Sequence, residues 1–271
     1  MNRKPLILVR GGGDLATGTI HRLWNAGYPV LVLEAERPAA IRRQVALSEA
    51  VYEGTATVEG ITAERIDTIQ QIPDILARDH IPLLVDSKGT CIPELKPAVV
   101  VDAILAKKNL GTDRSMAPLT IALGPGFTAG QDVTFVIETM RGHNLGRILS
   151  QGTALPNTGV PGMVGGYAAE RVLHAEHAGT IFGRRSIGDF VEQGETLAEI
   201  RDGSAVYPVK ASLSGLLRGL IRDGFQVPKG FKIADIDPRK EEHKNCFTIS
   251  DKARCIGGSV LELVCRYAVY E

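Results

Sequence analysis

Four groups of residues in this sequence have types and spacings that could do chemistry. The first is Gly11-Gly12-Gly13-Asp14, where Gly11, Gly13 and Ala16 fit G-x-G-x-x-[GA]. In that pattern the first glycine permits a sharp turn and the second lets a ligand approach the backbone. The third small residue keeps a helix close to a sheet. Free N–H groups at the start of that helix would face an anion. Glu34 lies 21 residues after Gly13, close to where a carboxylate would hold a ribose hydroxyl. Asp14 opposes a pyrophosphate, so it could serve a hydroxyl or a metal instead, with Arg10 supplying positive charge.

The second group is Asp86-Ser87-Lys88-Gly89-Thr90-Cys91. An ammonium near a thiol raises its thiolate fraction, so Cys91 reads either as a nucleophile or soft ligand, with Asp86 and Lys88 beside it, or as an inert packed thiol. The third, Arg141-Gly142-His143-Asn144-Leu145-Gly146-Arg147, sets two arginines and a histidine around glycines. It suits an anionic group, with His143 as donor or ligand and as a catalytic candidate; a hairpin turn with incidental charges is the alternative. The fourth lies near the end: Asp237-Pro238-Arg239, an ion pair or an anion or metal site, and Lys252 in ISDKARCIGGSVLE. Four cysteines without a CxxC pair suggest neither a zinc ribbon nor a disulfide framework.

The elements that must position these groups follow from the apolar runs. Leu6–Val9, a helical pattern, then Val30–Leu33 give strand, turn, helix, strand. A helix over 38–50, a strand over 55–59, a helix over 67–79 and a buried strand over 81–85 follow. The segment AVVVDAILAKK predicts a further helix within 97–108. The polar break at 111–115 marks the end of this domain. Beyond it, short strands with glycine punctuation read as β-rich, beginning with 119–123 and 133–138. Residues 151–166, rich in glycine and proline, read as an exposed loop or lid.

Between Gly179 and Ile236 the chain repeats itself at an offset of 36: Gly179 and Gly215, Gly183 and Gly219, Val191 and Val227, Ile200 and Ile236. The pattern resembles the half-motif of biotinyl and lipoyl domains, a barrel-sandwich hybrid of two hammerheads. Ser204 stands at the position of their carrier lysine, and Lys210 falls on the strand after the turn. No biotin or lipoate is therefore expected on this module. The final stretch reads as a linker at 241–245 and a helix VLELVCRYAVY, with Ser250 or Asp251 as cap and Cys265 in the core. The expectation is an α/β fold: a Rossmann-like domain over 1–112, a β-rich domain over 113–240 with its hammerhead repeat at 179–236, and a linker and helix over 241–271.

Lysine plus arginine and aspartate plus glutamate number 31 each, and aromatics are 5%. No global field or set of stacking platforms favours nucleic acid. The apolar run after Asn2-Arg3-Lys4 is too short for a signal peptide, and no stretch resembles a membrane span. The chain reads as soluble and cytoplasmic, and a homo-oligomer is compatible with it.

Five segments together, VRGGGDLATGTIHRL, ERPAAIRRQVALSEAVYEG, IETMRGHNLGRIL, IADIDPR and ISDKARCIGGSVLE, resemble the YqeB family, accessory proteins of the selenium-dependent molybdenum hydroxylase system. The N-terminal part is also similar, at fold level, to XdhC-type chaperones. The family pattern falls on Gly11, Gly12, Gly13, Asp14, Arg42 and Arg43. Further along it falls on Arg141, Gly142, His143, Arg147, Asp237, Arg239, Asp251, Lys252 and Arg254. Ser259 departs from it. The resemblance implies an accessory or maturation factor that binds a phosphorylated, nucleotide-like or molybdenum cofactor at the glycine turn, with a molybdenum hydroxylase as partner. Two other classes compete: a nicotinamide-dependent oxidoreductase using Glu34, and a non-catalytic scaffold docking a partner enzyme through the hammerhead module.

Overall fold

The computed structural model describes residues 4–159 and 162–267. The chain divides into two compact units. The first comprises Met1–Pro38, Ala46–Thr158 and Ile249–Glu271, and the second Ala39–Val45 and Gly159–Thr248.

In the first unit the apolar runs become strands: β1 (Ile7–Arg10), β2 (Val30–Glu34), β3 (Thr55–Val58), β4 (Ile61–Ile66), β5 (Ile81–Val85), β6 (Val99–Asp102), β7 (Leu119–Leu123), β8 (Thr128–Ala129), β9 (Phe135–Ile137), β10 (Ile148–Leu149) and β11 (Gly152–Thr153). Nine of them form one sheet in the order β10-β9-β7-β6-β1-β2-β5-β4-β3. Its seven inner strands run parallel, and the two edge strands run antiparallel. Uninterrupted apolar sequences such as ILV, VLVL and VVV suit strands buried on both faces, and β1 and β6 are buried throughout. The short strands β8 and β11 pair separately.

Helix α1 (Asp14–Asn25) follows β1, and α2 (Ala50–Glu53), α3 (Ile72–Ala77) and α4 (Ile92–Leu95) are short. The last helix, α5 (Asp251–Tyr267), starts earlier than its apolar pattern suggests. It lies beside α1 in the same direction. A β-carbon on Gly18 would stand 2.6 Å from that of Ala253, and one on Gly257 would stand 2.6 Å from the Gly18 carbonyl oxygen. Glycine at both positions lets the two backbones touch.

Four expectations are corrected here. A Rossmann-like domain followed by a hammerhead module does not form. Only α1 among the connections is a helix longer than six residues, so the sheet is not doubly wound. The expected boundary at 112–113 falls inside this sheet, because β7 and β9 extend it beside β6. The expected helix within 97–108 is instead β6, where three valines in a row favour a pleated, buried strand. Likewise 38–50 holds only 3-10 turns and the first residue of α2, and its residues 39–45 belong to the second unit.

The second unit holds β12 (Val172–His174), β13 (Gly179–Gly183), β14 (Phe190–Val191), β15 (Thr196–Asp202), β16 (Ala205–Lys210), β17 (Gly215–Leu220), β18 (Gln226–Val227) and β19 (Lys232–Asp237). They form two antiparallel sheets, β12-β19-β17-β14 and β16-β15-β13-β18. The 36-residue offset is visible in the strand positions: β13, β14 and β15 recur as β17, β18 and β19. Ile181, Leu197, Ile200, Leu217, Ile233 and Ile236 make the core between them. Ser204 is exposed in the turn between β15 and β16. No helix among the described residues is long and apolar enough to cross a membrane.

Candidate functional site

Because the inner strands of the large sheet are parallel, their carboxyl ends share one edge. Gly11, Glu34, Asp86, Asp102, Gly124 and Glu138 end or follow β1, β2, β5, β6, β7 and β9 there. That edge is where open parallel sheets bind ligands, and the first three of the four groups read from the sequence reach it, joined by Lys252 of the fourth.

The glycine turn is tightly determined. Gly11 adopts a φ of +99°, and a β-carbon on it would meet the Ala103 carbonyl oxygen at 2.9 Å. The Gly12 N–H donates to Glu34 Oε2 at 2.7 Å, and the Ala35 N–H donates to Oε1 at 2.7 Å. Burial pushes the Glu34 carboxyl above the usual carboxylate range against the pull of these two donors. Glu34 therefore closes the turn, which corrects its expected role on a ribose. Above Gly13 the space is open, since a β-carbon there would meet no atom within 4 Å, and Ala16 is fully buried.

Arg10 is not a free charge for that turn. It is 1% exposed and donates to the Thr112 hydroxyl and, at 2.7 Å, to the Ser87 carbonyl. Thr112 in turn donates to Asp102, whose carboxyl burial pushes upward. This Arg10–Thr112–Asp102 chain joins β1 to β6 at their ends.

Of the two readings of Cys91, the surroundings favour the packed thiol over the reactive one. It is buried, and burial together with the neighbouring Asp86 carboxylate pushes its pKa up to about 12. Asp86 accepts from the Cys91 N–H at 2.9 Å and from the Thr90 hydroxyl at 3.1 Å, so it organises the loop. Lys88 is exposed.

The most densely charged part of the edge surrounds Lys252, on the first turn of α5. Arg141 grips Asp251 with two bonds of 2.8 and 3.0 Å. Glu138 is 4% exposed and accepts the N–H groups of Met140 and Leu155 at 2.7 and 2.8 Å, fixing the loops beside it. Burial, then Arg141, disfavours the Lys252 ammonium. Asp14, Glu138 and Asp251 pull the other way, and the net shift is downward. Asp14 begins α1 while Lys252 and Asp251 begin α5, so the parallel packing of these helices is what brings them together. His143 and Arg147 are exposed on the loop between β9 and β10.

In the second unit, Asp237 accepts from Arg239 at 2.9 and 2.8 Å. Asp235 accepts from Arg171 at 3.2 Å and from Arg218 at 2.8 Å. Asp237 thus sits in an ion-pair network. Arg42 is buried and donates to the carbonyls of Asn245 and Thr248, and Arg43 donates to that of Leu220. Cys265 is exposed rather than in the core. The expected lid at 151–166 lies partly outside the described residues. Among the described residues, no group of three or more His, Cys, Asp and Glu side chains is arranged to hold a metal ion.

Sequence reasoning did not single out Glu138, Asp102, Thr112, Arg171, Arg218 or Asp235. A usable signal existed for some of them. Asp102 and Asp235 are charges within or ending otherwise apolar strands, where an acid must find a partner.

No protein-family model matches the chain. Among curated proteins, the uncharacterized protein YqeB of Escherichia coli (strain K12) is 49% identical over 257 residues, covering 95% of this chain and 47% of that protein. The chain is a homologue of YqeB. It spans about half the length of this relative (47%). Solved structures that align include a succinylglutamate desuccinylase/aspartoacylase from Rhodobacter sphaeroides (15% identity, 88% of this chain and 87% of that one, TM-score 0.29). Another is the product-bound ectoine utilization protein EutE (DoeB) of Ruegeria pomeroyi (13% identity, 86% and 85%, TM-score 0.27). Scores this low transfer neither fold nor activity. The YqeB relationship stands. The accessory-factor reading is withdrawn, together with its nicotinamide and scaffold alternatives.

Proposed function

We propose that the first unit carries a small-molecule active site in which Lys252 is the reactive amine. One observation supports this above others. At the carboxyl edge of a parallel sheet, Lys252 is held by burial in surroundings that weaken its protonation, with Asp14, Glu138 and Arg141 around it. A lysine that gives up its proton more readily can act as a base or add to a carbonyl, and perturbed groups at such an edge mark functional sites. Open space above Gly13 leaves room for a substrate beside it. The substrate class is a small polar molecule with a carbonyl group or an acidic proton.

Pyridoxal phosphate followed by borohydride reduction tests this, with labelled peptides identified by mass. Lys252 should be modified faster than exposed lysines such as Lys88, with a rate that climbs through a midpoint below the free value of about 10.4. Labelling of Lys252 no faster than of Lys88 would refute the proposal.

A further inference from the structure

A cavity of about 680 Å³ in the first unit opens between α4 and the turn that precedes β7. Its size suits a small organic ligand, since such sites run from roughly 300 to 1,000 Å³. Ile92, Pro97, Met116 and Ala117 line it with apolar surface, while Lys96 and Asp113 bring charge. The two charges differ in availability. Asp113 accepts both the N–H and the hydroxyl of Ser115, at 2.7 and 2.5 Å, and these donors hold its carboxyl below the usual range. Lys96 ends α4 in the left-handed conformation, φ +45°, with its N–H bonded to the Ile92 carbonyl at 2.9 Å. Its backbone is thus pinned, and its exposed ammonium makes no hydrogen bond or ion pair with the described residues.

An independent observation points to the same ligand charge. Gly89 forms part of the wall. Behind it lies the Nε of Arg10, 3.8 Å from where a Gly89 side chain would begin. That nitrogen is buried and lacks a hydrogen-bond partner among the described residues, so an unsatisfied guanidinium N–H lies behind the wall while the ammonium stands at the rim. We infer that this cavity binds an amphipathic, medium-chain monocarboxylate. The chain lies on Ile92, Met116 and Ala117, and the carboxylate faces Lys96. The site is separate from Lys252 and does not depend on its chemistry.

Calorimetric titration of the full chain with octanoate and with 1-octanol tests the inference. Octanoate should bind, and 1-octanol should bind more weakly. Ala117→Phe, which fills the cavity, should abolish binding of both; if that variant does not fold, Pro93→Trp at the exposed rim serves the same purpose. Lys96→Met should weaken octanoate about two- to fivefold, the range of a partly exposed ion pair, and leave 1-octanol unchanged. The inference is overturned if octanoate does not bind, if binding survives the filling variants, or if Lys96→Met leaves octanoate affinity unaltered.

Discussion

The two charged clusters of this molecule differ in what their surroundings ask of them. In the second unit, Asp235 and Asp237 are buried among Arg171, Arg218 and Arg239, and each of their carboxylate oxygens has a guanidinium donor. In the first unit, Lys252 is opposed by burial and by Arg141, and the nearby carboxylates only partly compensate. Burial also works against Arg171. An arginine, however, cannot shed its proton at any ordinary pH, so it must be paired. A lysine in the same position can become neutral. The contrast separates a network that exists to be complete from a group kept in an uncomfortable place, which is the usual mark of a site.

The comparison breaks most visibly at Asp235. Asp235→Ala should cost about 3–5 kcal/mol, because it leaves the buried Arg171 without its carboxylate and Arg218 with only the more distant Asp237. A denaturant midpoint close to the parent's would show that the network is slack. The next effect belongs to the frame that carries Lys252. Gly257→Leu would drive its side chain into the Gly18 carbonyl and should cost about 1–3 kcal/mol, loosening α5 from α1. Unfolding and the rate of Lys252 labelling should move together in that variant.

A smaller effect concerns acid. Burial pushes Asp237 upward, but its bonds to Arg239 and the charge of Arg218 outweigh it, so the folded carboxyl titrates below its ordinary value. The stability it contributes is present above the unfolded pKa of about 3.9 and is lost as pH falls toward the folded one. Asp237→Asn should flatten that acid limb. Acid melts of parent and variant that run parallel would count against the network's role in acid stability.

Much of this was readable in the residues, and the failures have physical causes. The strands β1, β2, β5 and β7 follow from apolar runs whose length and flanking glycines leave little choice. The glycine turn was readable too, but its partner was not: Glu34 satisfies Gly12 instead of a ligand, and no local pattern distinguishes the two uses. Three valines next to AILAKK gave a helical reading at 97–108, where pairing with β1 and β7 decides for strand. At Cys91 two readings stayed open because sequence shows that Lys88 is near but not that Asp86 accepts the Cys91 N–H and that the thiol is buried. Lys252 lay within a motif stretch, yet its neighbours Asp14 and Glu138 come from segments more than a hundred residues away in the chain. Only the packing of Gly18 on Ala253 and Gly257 brings α5 to α1.

The smallest effect is the most discriminating, because its sign differs from the others. A lysine whose folded pKa is lowered binds its proton less readily in the folded state than in the unfolded chain. It therefore detracts from stability at neutral pH, and that penalty fades as pH rises from the folded pKa to the unfolded value of about 10.4. Lys252→Met should accordingly stabilise the protein at pH 7 by less than about 1 kcal/mol, a small figure because Lys252 remains partly exposed to solvent. The gain should shrink to nothing near the unfolded pKa, while reaction with pyridoxal phosphate at this position disappears. Removing a group that harms stability and carries reactivity is the trade expected at a working site. If Lys252→Met instead destabilises the protein at pH 7 by an amount comparable to Asp235→Ala, then Lys252 is one more pairing residue, and the two clusters are of one kind.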